Sequence, residues 1–463
     1  MENLPKIKFG TDGWRAVIDK DFNVPNVKYV AQAIADYLKK GKVIVGYDTR
    51  RLSPEFARAA ASVLASNGFS VVLSKAFVPT PVLSYKIRIE KAQAGIMITA
   101  SHNPGEYNGL KMKGGFAGPV GAEVTGSLED LLGKNPVKEI KDSEKNIKTE
   151  DFSLDYLAGI KKYTKAEFFK KCRFKVIVDD MFGAGGDYLP RALEETPIEL
   201  KMIRHERNTS FGGIHPEPIA ENLQALMDKV KEEKAVLGLA TDGDADRLGV
   251  VDSRGNYVSA QLVFSLLFLN LLESRLWRGG LVKSVASTFL LDKIAQKFKL
   301  PIYETAVGFK HAVPYMLDQD ILMAGEESGG YGFKGRPPER DGILAGCLLL
   351  EMMGRRGQSL IEILKDLEKE FGSFFYKRMD IEYSQAKKEE CLKKLKTTLP
   401  KILGRKKVKK TNLKDGHKFI LEDNSWLLLR FSGTEPLLRI YSEAGSPEDV
   451  QELLAEGKRL VEA

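Results

Sequence analysis

Three aspartates alternate in the stretch TDGDADR (241–247), directly after the apolar run Leu237-Gly238-Leu239-Ala240. In an extended loop, Asp242, Asp244 and Asp246 can aim three carboxylates at one hard cation. A site with open positions suits Mg²⁺, which keeps water or phosphate oxygens. An EF-hand is excluded, because its sixth and twelfth positions need glycine and glutamate where this chain has Arg247 and Ser253. The competing reading is an Asp/Gly surface turn, in which three unpaired carboxylates would repel one another. A second stretch, TASHNP (99–104), sets Ser101 beside His102 where the apolar run Gly95-Ile96-Met97-Ile98 breaks into a loop. Lys111 follows ten residues later, and Arg15 ends the glycine-bearing FGTDGWR (9–15). Taken singly, such a histidine, lysine or arginine is ordinarily a solvated surface group.

Two further loops carry recognition chemistry. In RFSGTEPLLR (430–439), Arg430 and Arg439 can bind a phosphate through two hydrogen bonds each, with Ser432, Gly433 and Thr434 adding neutral donors. The same stretch also reads as a tight turn between two strands. It is no P-loop, since GxxxxGK[ST] occurs nowhere in the chain. GEESGG (325–330) offers Glu326 and Ser328, an acceptor and a donor/acceptor suited to sugar hydroxyls, or else an exposed acidic turn.

The elements that would position these loops follow one grammar. KVIVGYD (42–48), helical SPEFARAAASVLASNG (53–68), SVVLS (70–74) and AGIMITA (94–100) read as β-α-β with a further buried strand. Ser53 is expected to cap its helix, with Pro54 at the first helical position. RFKVIVDDM (173–181) and AVLGLATDGD (235–244) repeat the pattern, and so do GGLVKSVAST (279–288), PIYETAV (301–307) and ILMAGEE (321–327). In each unit an apolar run discharges into a polar, glycine-bearing loop, where open parallel sheets bind ligands. The charged stretch 133–153 reads as a connector, and 371–384 as an extended linker. The expected fold is α/β: three similar α/β domains (1–150, 151–255 and 256–372) with mixed, mostly parallel sheets. A smaller α+β domain (373–463) completes a central cleft.

The 463 residues are 43% hydrophobic and 29% charged, as in a globular protein of several domains, and the net charge is only +8. The basic stretch 393–410 has no interleaved aromatics and reads as solvated surface, so no nucleic-acid partner is expected. No apolar run is long enough to span a membrane, and the first ten residues lack the apolar core of a signal peptide. Cys172, Cys347 and Cys391 are too few and scattered for a disulfide framework. A cytoplasmic protein is expected, monomeric or weakly dimeric.

Taken in order, FGTDGWR, TASHNPGEYNGLK, PEPIAENL (216–223), DGDADR, GEESGG and RFSGTEPLLR resemble the α-D-phosphohexomutase family over essentially the whole chain. The resemblance implies a phosphoserine at Ser101, whose phosphoryl group is lent to a hexose phosphate. A hexose 1,6-bisphosphate then turns round and returns its other phosphate. It further implies Mg²⁺ on Asp242, Asp244, Asp246 and a Ser101 phosphoryl oxygen, with Arg247 near by. Glu326 and Ser328 would grip the sugar, and Arg430, Ser432, Gly433, Thr434 and Arg439 the phosphate that is not reacting. Lys111 matches an acid/base or positioning lysine, for which a base role would need a depressed pKa; Arg15 and His102 lie close to it in the family pattern. Lys283 and Lys310 match basic positions facing the cleft. Many bacterial mannose/glucose enzymes carry histidine where this chain has Gly330. GEESGG lacks the glutamine and histidine of the glucosamine-type loop, and its paired glutamates match glucose-preferring members. The expected activity is therefore phosphoglucomutase with mannose phosphate as a second substrate, using Mg²⁺ and glucose 1,6-bisphosphate. The alternatives are a phosphomannomutase and a non-catalytic sugar-phosphate-binding protein. An aspartyl-phosphate phosphatase is disfavoured by the missing DxDxT.

Overall fold

A computed structural model describes residues 7–141, 143–383, 388–389, 391–393, 395, 399–431 and 437–462. Four sheets follow one another along the chain. The first is ordered Trp14–Val17, Tyr107–Gly114, Ala94–Ile98, Lys42–Tyr47, Ser70–Ser74, Ile147–Glu150. Its last four strands are parallel, and Tyr107–Gly114 returns antiparallel beside Ala94–Ile98. The second sheet repeats this device with parallel Lys175–Asp179, Glu199–Ile203 and Leu237–Thr241 and the antiparallel return Leu248–Asp252. In the third, Gly280–Ser284, Ile302–Thr305 and Ile321–Gly325 are parallel, and Tyr331–Phe333 returns. The fourth sheet is antiparallel throughout, with Pro447–Glu462 packed on one face.

Each return strand places a short loop at the carboxyl end of a central parallel strand. The three loops so made are 99–106, 242–247 and 326–330. The strands before them, Ala94–Ile98, Leu237–Thr241 and Ile321–Gly325, are buried along their whole length, which is why they read as continuous apolar runs. One apolar cluster runs from Val82 and Met97 in the first unit through Val178 and Leu239 to Leu322 and Leu348 in the third. The fourth domain has its own core of Phe419, Leu427, Leu429, Ile440 and Leu453. Leu427 and Leu429 face that core, while Trp426 and Leu428, on the other face of the strand, meet Val285 and Ala286 of the third domain.

Several local expectations are corrected. Ser53 is the first residue of the helix Ser53–Ser66, and the cap position is Leu52, in a left-handed conformation at φ 58°. The Ser53 hydroxyl instead donates to Asp48 at 2.9 Å. The connector 133–153 supplies an edge strand, Ile147–Glu150, to the first sheet. The linker holds Phe375–Glu382, an edge strand paired along its length with Leu437–Ala444. Within the basic stretch, Ile402–Leu403 and Lys406–Asn412 are also strands. No helix among the described residues is long and apolar enough to cross a membrane.

Candidate active site

Ser101 stands at the break after Ala94–Ile98 with φ 53°, a left-handed conformation that costs a serine roughly 1–2 kcal/mol. Its hydroxyl donates to Asp242 Oδ2 at 2.9 Å and lies 3.4 Å from His102 Nδ1. Lys111, on the return strand opposite Met97, reaches the same place from the neighbouring position in the sheet. Its ammonium is 2.7 Å from Asp244 Oδ2, 2.9 Å from Asp12 and 3.4 Å from Asp246, and its side chain is 1% exposed. Gly243 makes the approach of the two loops possible, because a Cβ there would sit 2.3 Å from the Ser101 carbonyl oxygen.

The three aspartates of the second loop are fully buried, with one oxygen of each within 4.8 Å of the others. Asp242 Oδ1 accepts the N–H groups of Asp246 and Arg247, which curls the loop. Asp244 Oδ2 accepts from Thr80 and Lys111, and Asp246 Oδ2 from Arg340. Asp244 Oδ1 and Asp246 Oδ1 are buried without a hydrogen-bond partner. Burial and the two neighbouring carboxylates push Asp242 well above the usual carboxylate range. Two orphaned oxygens beside a serine hydroxyl, on hard oxygen donors, fit a divalent cation of the Mg²⁺ kind.

Lys111 departs from the base expectation. Burial pulls its pKa down, but Asp12, Asp244 and Asp246 outweigh this and hold the ammonium charged, above its ordinary value. His102 behaves oppositely. Burial, reinforced by Arg247, Arg15, Lys111 and Arg340, drives its imidazole well below its usual pKa, so the ring is neutral near pH 7.

The third loop joins this cluster through its backbone. Leu248 N–H donates to Gly329 O at 2.9 Å, and Arg247 bridges to Gly330. Glu326 accepts from Gly308 N–H at 2.8 Å and lies 3.3 Å from Arg340; Ser328 is half-buried two residues on. Arg340 connects three domains, donating to Asp12 at 2.7 Å and to Asp246 at 2.6 Å as well as facing Glu326. It sits immediately before Asp341, the N-cap of the helix Gly342–Arg356, whose carboxylate accepts from Leu344 N–H and the Tyr156 hydroxyl. Gly330 leaves room for this arginine: a Cβ at 330 would lie 2.3 Å from Arg340 Cδ.

The structure gathers Ser101, His102, Lys111, Asp242, Asp244, Asp246, Arg247 and Glu326 into one cluster. Arg15 adjoins it, donating to Asn103 at 2.6 Å, and Arg247 is braced by Glu217 at 2.8 Å. Lys310 is half-buried in the turn Phe309–His311, next to the Gly308 amide that holds Glu326. Lys283, expected at the cleft, is not brought there: its ammonium is buried against Asp292 and the Thr288 carbonyl. Arg430 and Arg439 are directly opposite each other on neighbouring antiparallel strands of the fourth sheet. Ser432, Gly433 and Thr434 lie outside the described residues.

Sequence reasoning missed Asp12, Thr80, Glu217 and Arg340. Asp12 and Glu217 belong to stretches singled out above, so their charge alone was a usable signal. Arg340 is flagged only by its place before the helix-capping Asp341.

Family models for the four phosphoglucomutase/phosphomannomutase domains match in order. Alpha/beta/alpha domain I covers residues 6–138, domain II 154–255, domain III 261–371 and the C-terminal domain 386–459. The chain is 31% identical over 460 residues to the phosphoglucomutase/phosphomannomutase of Thermococcus kodakarensis, covering 98% of each. It is 29% identical over 459 residues to a phosphoglucosamine/phosphogalactosamine mutase of Sulfurisphaera tokodaii, covering 98% of this chain and 99% of that one. A candidate phosphomannomutase structure from Thermus thermophilus superposes with a TM-score of 0.88 at 35% identity, over 99% of both chains. The chain belongs to the α-D-phosphohexomutase family, whose members are phosphotransferases of the isomerase class.

Proposed function

We propose that the chain interconverts hexose 1-phosphate and hexose 6-phosphate through a phosphorylated Ser101, with glucose phosphate as its main substrate and mannose phosphate as a second. The single observation behind this reading is the Ser101 hydroxyl 2.9 Å from Asp242, inside a buried aspartate triad with two unpartnered oxygens. Asp242, Asp244 and Asp246 would hold Mg²⁺, which when bound neutralises charge on phosphoryl oxygens. Phosphoryl transfer needs mainly alignment and charge stabilisation. Arg247, Lys111 and Arg340 supply fixed positive charge around Ser101, and Glu326 with Ser328 would hold sugar hydroxyls common to both orientations. Neutral His102 can hydrogen-bond Ser101 Oγ at 3.4 Å but is a weak base among the cations around it, and charged Lys111 suits positioning. Arg430 and Arg439 would anchor the distal phosphate in either orientation.

A second reading, an amino-sugar phosphate, is favoured by the full-length match to the Sulfurisphaera tokodaii enzyme. The test is turnover of glucose 1-phosphate, mannose 1-phosphate and glucosamine 1-phosphate with Mg²⁺ and trace hexose 1,6-bisphosphate, at constant total organic phosphate. The glucose substrate is expected to show the highest kcat/KM. Faster turnover of the amino sugar would replace that assignment, and release of inorganic phosphate would point to a phosphatase.

A further inference from the structure

We infer that Asp48, Arg50 and Thr99 form a buried frame that positions Ser101 for phosphoryl transfer without touching the substrate. The inference rests on Ser101 being the phosphoryl carrier. Arg50 is fully buried, and every face of its guanidinium edge is committed. Nε donates to Asp48 at 3.1 Å. Nη1 donates to the carbonyls of Pro104 at 2.7 Å and Tyr107 at 3.0 Å, and Nη2 to those of Ser101 and Asn103, both at 2.6 Å. The ring of Phe211, from the second domain, covers the guanidinium at 4.6 Å. An arginine so close to the reacting serine would ordinarily be read as a phosphate ligand, but this one has no N–H left to offer.

Thr99 completes the frame. Its hydroxyl donates to Asp48 at 2.6 Å and accepts the Ser101 N–H at 2.9 Å. Asp48 itself accepts from the Arg50 amide and the Ser53 hydroxyl, so its charge is fully engaged. The Ser101 C=O is therefore fixed directly by Arg50 and its N–H through the Thr99 hydroxyl to Asp48, so one dry ionic pair holds the residue in its left-handed conformation. Because Gly243 packs on the same Ser101 carbonyl, the frame also sets the separation between Ser101 Oγ and the aspartate loop. Lysine cannot replace Arg50 here, since a point charge with three donors cannot reach four carbonyls and a carboxylate in one plane.

The experiment compares Arg50→Lys and Thr99→Val with the parent protein. Three quantities are read: kcat and KM for glucose 1-phosphate, thermal unfolding, and amide exchange of residues 101–107. Misplacement of the serine oxygen by a fraction of its bond distance is expected to lower kcat about 100-fold in Arg50→Lys and about 10-fold in Thr99→Val. KM should stay within about threefold, because the sugar and distal-phosphate contacts are made elsewhere. Exchange at the Ser101 amide should quicken in both variants. Unchanged kcat and exchange in a folded variant, or a loss expressed wholly in KM, would overturn the frame. Should Arg50→Lys not fold, Thr99→Val decides by the same criteria. A parent protein without mutase activity whose Ser101 amide exchange still depends on Thr99 would sink the mutase reading and leave the frame standing.

Discussion

Lys111, Asp12, Asp246 and Arg340 come from three domains, yet lie within hydrogen-bond distance of one another in a nearly solvent-free cluster. Arg430 and Arg439 are held differently. They stand opposite each other on paired strands whose domain meets the third through an apolar patch around Trp426, Leu428 and Tyr441 and through polar contacts, among them Phe289 N–H with Glu443 and Val307 N–H with Asp415. One apolar cluster runs through the first three domains, the first of which has a second core of its own around Phe22, Phe56 and Ile96, and the fourth domain has a separate core. The groups proposed to handle the reacting phosphoryl are thus fixed by mutually dependent buried charges. The arginines assigned to the idle phosphate sit on a separately cored domain that is tied to the third through Glu304, Asp415 and Glu443. On the proposed mechanism, a sugar bisphosphate would turn round between a transfer point fixed by buried charge and a phosphate grip on a separately cored domain.

Four substitutions probe this contrast. Ser101→Ala removes the phosphoryl carrier from the rigid region and should lower kcat by roughly 10³-fold or more while thermal unfolding is unchanged; a normal rate would sink the mechanism. Asp244→Asn weakens the cation site, with an expected loss of roughly 10²-fold and a raised Mg²⁺ requirement in a metal titration. Retained activity at scarce Mg²⁺ would count against the triad as a metal site. Arg430→Ala acts on the fourth domain and should appear chiefly as a KM raised roughly tenfold, since the proposed phosphate contact would be the same in ground and transition states. A loss confined to kcat would mean that the fourth domain takes part in transfer itself.

The smallest effect is expected in the more exposed ionic cluster that ties Lys86 to Glu90, Glu150 and Asp155 behind the serine domain. Hydrogen bonds from Lys42 and Lys86 lower Glu90 from its ordinary 4.5 to about 2. A carboxylate depressed in this way adds stability above its unfolded value, and that stability is lost as pH falls from about 4.5 towards 2. Glu90→Gln should therefore flatten the acid limb of unfolding free energy against pH by less than about 1 kcal/mol, and leave kcat at pH 7 unchanged. A matching change in kcat would show that this distant ionic cluster is coupled to the site.

The chemistry of the three central loops was legible because each packs several functional groups into five to eight residues after a fully buried strand. The folding of each loop was less so. Nothing in Tyr107–Gly114 or Tyr331–Phe333 marks them as antiparallel returns rather than further parallel strands. Edge strands such as Ile147–Glu150 and Phe375–Glu382 were hidden because their half-exposed, charged side chains imitate a linker. Arg340 escaped notice because its partners Asp12, Asp246 and Glu326 are far from it in sequence and meet it only when three domains assemble. Lys283 erred in the opposite direction, since a strand position alone does not say whether its ammonium reaches the cleft or pairs locally with Asp292.

Gly330 constrains the order in which this loop can diverge. Installing the histidine carried by many bacterial mannose/glucose enzymes would drive a Cβ into Arg340, a side chain that three carboxylates hold in place. Histidine at 330 would therefore require Arg340 to be shortened or redirected. An Arg340 variant would in turn leave Asp12 and Asp246 short of their counter-charge until a new one arrived. Positions 330 and 340 are thus coupled through both space and charge, so a side chain at 330 calls for a matching change at 340.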